Sequence, residues 1–162
     1  MEIYLMQHGP YLPKEQDPDE GLGPEGEAQI HASGKALKKM GITFDVILAS
    51  PKKRSRQTAA IVAEEVGFPP EKIMETEKVK PMIPPEETVT VLREYGVNTK
   101  VLIAGHLPSL AEVASSLLTE GSHATIAFEK GGCCRIDVQD LPTHSGHLKW
   151  YLTPEQLKLI AT

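Results

Sequence analysis

Apolar positions along this chain fall into two kinds of pattern. Three short stretches are apolar at most positions: residues 2–7, which run up to Gly9-Pro10, Val46-Ile47-Leu48-Ala49, and Val101-Leu102-Ile103-Ala104. They are too short for helices, and they are continuous rather than alternating, which predicts strands covered on both faces. Between them the apolar positions recur with a helical period. Residues 25–40 carry Ile30, Leu37 and Met40 on one face and close at Gly41, a good stop. Residues 51–66 carry Thr58, Ile61, Val62 and Val66, residues 86–95 form a shorter and weaker case, and residues 108–118 carry a stripe of Leu110, Val113, Ala114, Leu117 and Leu118. Further strands are predicted near 73–75, 124–128, 133–138 and 148–152, with a last helix from Pro154. Strands that alternate with helices in this way imply an α/β, three-layer sandwich with a largely parallel central sheet flanked by helices.

Residues 10–25, rich in Pro, Gly, Asp and Glu, and the piece around Pro81, Pro84 and Pro85 read as loops rather than linkers. With 162 residues and no repeat, the expectation is a single domain over 1–162. No apolar run is long enough to span a membrane, and residues 1–7 do not read as a signal peptide. Cys133 and Cys134 are adjacent, so on a strand they point to opposite faces and are poorly placed to form a disulfide with each other. Two reduced cysteines suit a reducing, cytoplasmic compartment. The net charge of −5 argues against a nucleic-acid-binding surface. One local exception is the cluster Lys52, Lys53, Arg54 and Arg56, a candidate anion site.

Ligands of open α/β sheets bind beyond the carboxyl ends of the strands. The residues just after each strand are therefore the first place to look for chemistry. Gln7-His8-Gly9-Pro10 comes at the end of the first strand, Ser50-Pro51-Lys52-Lys53-Arg54 after the second, and Gly105-His106-Leu107-Pro108 after the 101–104 strand. Ser50-Pro51 reads as an N-cap followed by the first helical residue, and Pro108 as a similar start; both helix ends would favour phosphate. A neutral imidazole is a competent nucleophile toward phosphorus, and an arginine fork is the best single donor to phosphoryl oxygens. In this reading His8 attacks, Arg54 clamps the phosphoryl group and His106 donates a further hydrogen bond, with Gln7, Gly9 and Leu107 completing the phosphate-binding set. Gly9 would allow close backbone approach and offer its N–H. The remaining histidines, His31, His123, His144 and His147, lack metal-ligand spacing and are expected at the surface. Trp150 is expected in packing, and Asp17, Asp19 and Glu20 in a solvated loop.

These residues resemble the histidine phosphatase superfamily, whose phosphoglycerate mutase-like fold the resemblance implies for this chain. The family's strand followed by Arg-His-Gly appears as Leu5-Met6-Gln7-His8-Gly9. Its Ser-Pro, two residues, Arg, two residues, Gln-Thr block is intact from Ser50 to Thr58, and its later histidine block is Gly105-His106-Leu107-Pro108. The first helix, Glu25-Gly26 with Gly34 and Gly41, and the ending Leu152-Thr153-Pro154-Glu155-Gln156-Leu157, also fit, so the resemblance covers nearly the whole chain. It is greatest to the short SixA-type phosphohistidine phosphatases. They lack the insertions that close the pocket of the mutases, and their open site suits a protein-borne phosphate.

The resemblance implies a phosphatase with no metal and no cofactor, passing through a phosphohistidine on His8. The implied partner is a phosphorylated protein such as a histidine phosphotransfer domain, with no nucleic acid and no membrane involved. The family arginine is Gln7 here, which keeps a donor but loses the charge; a charge-assisted hydrogen bond is roughly twice as strong as a neutral one. Arg56 or Lys53 could compensate. Family members often place a carboxylate as general acid, and the positional candidates are Glu87 and Glu86, although both also suit a first helical turn. Phosphohistidine tolerates the lack of an acid, because its leaving imidazole has a pKa of about 6.5 in its protonated form. Two alternatives stay open: a small-molecule phosphomonoesterase that needs Glu87, and a phosphate- or partner-binding module weakened by Gln7.

Overall fold

A computed structural model describes residues 1–121 and 123–162. The strands are β1 (Glu2–Gln7), β2 (Val46–Ala49), β3 (Met74–Glu75), β4 (Lys100–Gly105), β5 (Cys133–Asp137) and β6 (His147–Leu152). The helices are α1 (Pro24–Lys39), α2 (Lys53–Val66), α3 (Pro85–Leu92), α4 (Ser109–Leu118) and α5 (Pro154–Ala161). The strands form one sheet in the order β3-β2-β4-β1-β5-β6. The first four are parallel to one another, while β5 runs antiparallel to β1 and β6 antiparallel to β5. The α/β fold with a largely parallel sheet is therefore as the hydrophobic pattern predicts.

Strand alternation divides the core in two. Tyr4, Met6, Ile47, Ala49, Leu102, Ala104 and Cys133 point to one face, where Ile30 and Leu37 of α1, Val62 of α2 and Leu157 of α5 cover them. Ile3, Leu5, Leu48, Val101, Ile103 and Cys134 point to the other, under Val89 and Leu92 of α3 and Val113 and Leu117 of α4. Each large apolar side chain among them contributes about 1.5–3 kcal/mol by leaving water. Both cysteines are free and buried on opposite faces. Trp150 packs against the first core, 6.0 Å from the Tyr4 ring.

Several local expectations change. Helix α1 does close at Gly41, whose φ of +74° lets Ile42 N–H reach the Leu37 carbonyl at 3.0 Å. Met40, however, is half exposed rather than on the buried face. Residues 124–128 are not a strand. Their exposure alternates as in an extended segment, but no strand among the described residues pairs with them. Ala124 N–H donates to Ser115 Oγ at 3.2 Å and Phe128 N–H to the Ile126 carbonyl at 3.0 Å, so the backbone bonds a ladder needs are spent locally. No described helix is long and apolar enough to cross a membrane.

Candidate active site

The parallel register brings the two histidines together. Gln7 pairs with Gly105, and Ala49 with Ala104, so β1, β2 and β4 end on nearly one line. His8 N–H then donates to the Gly105 carbonyl at 3.0 Å. The next residues along each chain, His8 and His106, leave the sheet side by side, with ring centres 5.0 Å apart. Both are buried.

Their surroundings define their protonation. His8 Nδ1 lies 2.8 Å from the Gly9 carbonyl oxygen. A carbonyl only accepts, so Nδ1 carries the proton and Nε2 keeps its lone pair. Burial lowers the His8 pKa from 6.5 to about 4, with the Arg54 and Lys130 charges adding to the effect against the Gly9 hydrogen bond. Burial likewise lowers His106 to about 3, assisted by His8, Arg54 and Lys52. Both rings are therefore neutral near pH 7.

Ser50 and Ser55 tie β2 to β4. Ser55 Oγ donates to the Ala104 carbonyl at 2.6 Å and accepts from Ser50 N–H at 2.9 Å. Ser50 Oγ stands 2.6 Å from His106 Nε2. This overturns the N-cap reading of Ser50: α2 starts at Lys53 with Lys52 as its cap, and the Ser50 hydroxyl serves the histidine. Pro108 is likewise the cap of α4 rather than its first residue, and the Ser109 N–H is taken by the Pro81 carbonyl at 3.2 Å. That leaves the start of α4 with less to offer an anion.

The Gln57-Thr58 pair of the second block closes the loop over this end of the sheet. Gln57 Oε1 accepts from Leu22 N–H at 2.6 Å. Thr58 Oγ1 accepts from Gly9 N–H at 3.0 Å and donates to the Arg54 carbonyl at 2.8 Å. The Gly9 N–H is thus committed to Thr58 rather than free for phosphate. A glycine is needed there for packing: a Cβ on Gly9 would lie 2.7 Å from Ile30 Cγ1.

Three buried polar atoms gather here without hydrogen-bond partners: Arg54 Nε, His106 Nδ1 and Gln7 Oε1. An unpaired buried polar group costs about 1–3 kcal/mol. The Gln7 amide can turn over to present its NH2 in place of the oxygen. Arg54 Cζ sits over the Tyr11 ring, 4.9 Å from its centre, and His8 meets the same ring edge-on at 5.4 Å. Leu107 is partly exposed at the rim. The arrangement offers a neutral imidazole lone pair beside a guanidinium and an N–H donor, and it can receive a phosphoryl group.

The structure does not bring the candidate acids to this cluster by any described hydrogen bond. Glu87 binds Lys78 Nζ at 3.1 Å, and Glu86 is exposed. The proposed compensating cations are also engaged elsewhere, Lys53 with Asp17 at 2.8 Å and Arg56 with Glu75 at 3.5 Å. Asp17 accordingly belongs to a structured turn, accepting from Asp19 and Gly21 N–H as well. His31 is half-buried and pairs with Glu65 at 2.7 Å, and His144 meets the Ser116 carbonyl at 2.6 Å. Among the described residues, no group of three or more His, Cys, Asp or Glu side chains converges as a metal-ligand set. Sequence reasoning missed Tyr11 and Lys130. Neither lies in a motif block, and a lone aromatic in a Pro-rich loop carries no signal of its own.

The model of the histidine phosphatase superfamily (branch 1) matches residues 3–77. Over 73 residues the chain is 34% identical to the mitochondrial serine/threonine-protein phosphatase Pgam5 of Drosophila ananassae, a match covering 44% of this chain but 25% of that protein. An uncharacterised protein of Picosynechococcus is 28% identical over 135 residues, 82% of each chain. The fold matches the protein histidine phosphatase SixA bound to tungstate with a TM-score of 0.86 at 20% identity, covering 98% of this chain and 100% of that one. It matches a mycobacterial glucosyl-3-phosphoglycerate phosphatase with a TM-score of 0.73 at 12% identity, covering 94% and 98%. The chain is thus similar to the histidine phosphatase superfamily over residues 3–77, where two of the motif blocks lie, and it shares the SixA fold over nearly its whole length.

Proposed function

We propose that the protein is a phosphatase acting on phosphohistidine in a protein, with the phosphoryl group passing through His8 Nε2. The observation that carries this reading is the pinned His8 ring. Its Nδ1–H is held by the Gly9 carbonyl, and burial keeps Nε2 unprotonated. Nε2 attacks phosphorus, the bond to the substrate nitrogen breaks, and the phosphoryl group rests on His8 until water displaces it to inorganic phosphate. Arg54 and His106 Nδ1–H hold the phosphoryl oxygens through this passage. Gln7 and Leu107 line the same end of the sheet.

The leaving group selects the substrate class. A phosphohistidine ring protonated at its far nitrogen departs as neutral imidazole, whose conjugate acid has a pKa of about 6.5, whereas an alkoxide needs a proton from a placed acid. Glu87 is held by Lys78, which favours phosphohistidine over an alkyl phosphate ester. The structural likeness to SixA supports the same choice, and the likeness to the glucosyl-3-phosphoglycerate phosphatase keeps the ester reading as its competitor.

The test is phosphate release from a phosphohistidine-bearing phosphotransfer domain and from a panel of alkyl phosphates, by wild type, His8→Ala and Glu87→Gln. The proposal expects release from phosphohistidine, a phosphate label trapped on His8, no release by His8→Ala, and little effect of Glu87→Gln. Turnover of alkyl phosphates alone, with loss in Glu87→Gln, would replace it with the ester reading. Phosphate binding without turnover of either would leave a binding module.

A further inference from the structure

We propose that Lys130 supplies the phosphate-site cation that Gln7 lacks, reaching the phosphoryl oxygens from the loop before β5 instead of from the end of β1. The inference rests on the reading of His8, Arg54 and His106 as a phosphoryl site.

Gln7 puts a neutral, buried amide at the end of β1, beside His8. Lys130 Nζ lies 5.1 Å from the centre of the Tyr11 ring. Arg54 and His8 meet that same ring, so two cations and the attacking imidazole are grouped around one phenol. Among the described residues, no carboxylate pairs with Lys130. Its charge also reaches His8, adding to the lowered pKa after burial and Arg54.

The root of this side chain is anchored to Gln7 itself. The Lys130 carbonyl accepts from Gln29 Nε2 at 2.6 Å. The next residue, Gly131, donates its N–H to the Gln7 carbonyl at 2.9 Å and accepts from Ser33 Oγ at 2.8 Å. Gly131 has φ of +82°, a left-handed turn that sets the direction of the loop. The backbone is therefore fixed, while the exposed side chain extends to the Tyr11 ring, on which Arg54 and His8 also converge. A lysine offers a compact point charge rather than a planar fork. It can follow a phosphoryl group presented in more than one orientation.

Lys130→Met keeps the apolar stem and removes the charge, and at an exposed position it leaves the fold intact, which an unchanged thermal midpoint verifies. The primary readout is tungstate affinity by calorimetry at fixed ionic strength, with kcat/KM on phosphohistidine beside it. Losing a charge-assisted contact is expected to weaken tungstate binding about tenfold or more. Lys130→Arg should retain it, and the His8 pKa, followed by ring NMR, should rise in Lys130→Met. Gln7→Arg should rescue the Lys130→Met protein and add less to the wild type. Equal tungstate affinity in wild type and Lys130→Met, or equal effects of Gln7→Arg in both backgrounds, would overturn the role of Lys130 alone. Should Gln7→Arg not fold, the contrast between Lys130→Met and Lys130→Arg decides. A wild type that neither binds tungstate nor releases phosphate would overturn the function as well.

Discussion

The Ser50 hydroxyl selects the tautomer of His106. Its oxygen stands 2.6 Å from His106 Nε2 and accepts from Lys52 N–H at 3.3 Å. Among the described residues the hydroxyl has no other acceptor for its own proton, so it donates to Nε2, which places the ring proton on Nδ1, the atom left without a partner. Ser50→Ala should therefore lower kcat by about tenfold by freeing the wrong tautomer, while stability falls by about 1 kcal/mol. Steady-state kinetics with a denaturation curve checks both; a KM effect with unchanged kcat would mean that Ser50 only shapes binding.

Thr58 holds the loop that orients His8. Thr58→Val keeps the shape but removes the acceptor of the buried Gly9 N–H, and the Gly9 carbonyl is what fixes His8 Nδ1. The expected cost is about 1–3 kcal/mol of stability with a parallel fall in kcat, and Thr58→Ser should recover most of both. Urea unfolding and turnover measured on the three proteins make the comparison.

The first helix approaches the same loop too closely for any side chain at Gly26. A Cβ there would lie 2.0 Å from the Pro10 carbonyl oxygen, a backbone atom that cannot swing aside. Gly26→Ala is expected to destabilise by about 3 kcal/mol or to displace the loop. A thermal midpoint close to wild type, with unchanged turnover, would show that the loop yields at no cost.

The two histidines also set a pH dependence. In the unfolded chain they take up protons near a pH of about 6.5. In the folded protein they stay neutral down to about 4 for His8 and about 3 for His106. Between these values the unfolded state binds more protons, so their contribution is complete above a pH of about 6.5 and is lost as pH falls toward about 4. The thermal midpoint should drop between about pH 7 and about pH 4.5, and His8→Gln/His106→Gln should flatten that drop. The acid limb of kcat/KM for the free enzyme should likewise lie well below a pH of about 6.5.

Most of the fold was legible because buried parallel strands and amphipathic helices write strong patterns. Val101–Ala104 and the stripe from Leu110 to Leu118 are examples. The segment 124–128 failed because a strand needs a partner as well as a pattern, and its donors find Ser115 and Ile126 first. The site was legible where strand ends define it, at His8 and His106. Ser50 was misread because Ser-Pro before a helix is a good cap in isolation; only the sheet shows His106 within its reach. Lys130 was invisible because it lies far along the chain from Gln7 and only the β1–β5 pairing joins them.

The adjacent cysteines give the molecule an internal gauge of its own opening. Cys133 faces the layer covered by α1, α2 and α5, and Cys134 the layer covered by α3 and α4. Burial pushes both thiols up, Cys134 to about 12, so neither forms the reactive thiolate while its layer stays closed. A thiol reagent added under native conditions should then report two separate events from neighbouring positions. Single variants Cys133→Ala and Cys134→Ala would reveal whether one half of the sandwich breathes before the other or both part together.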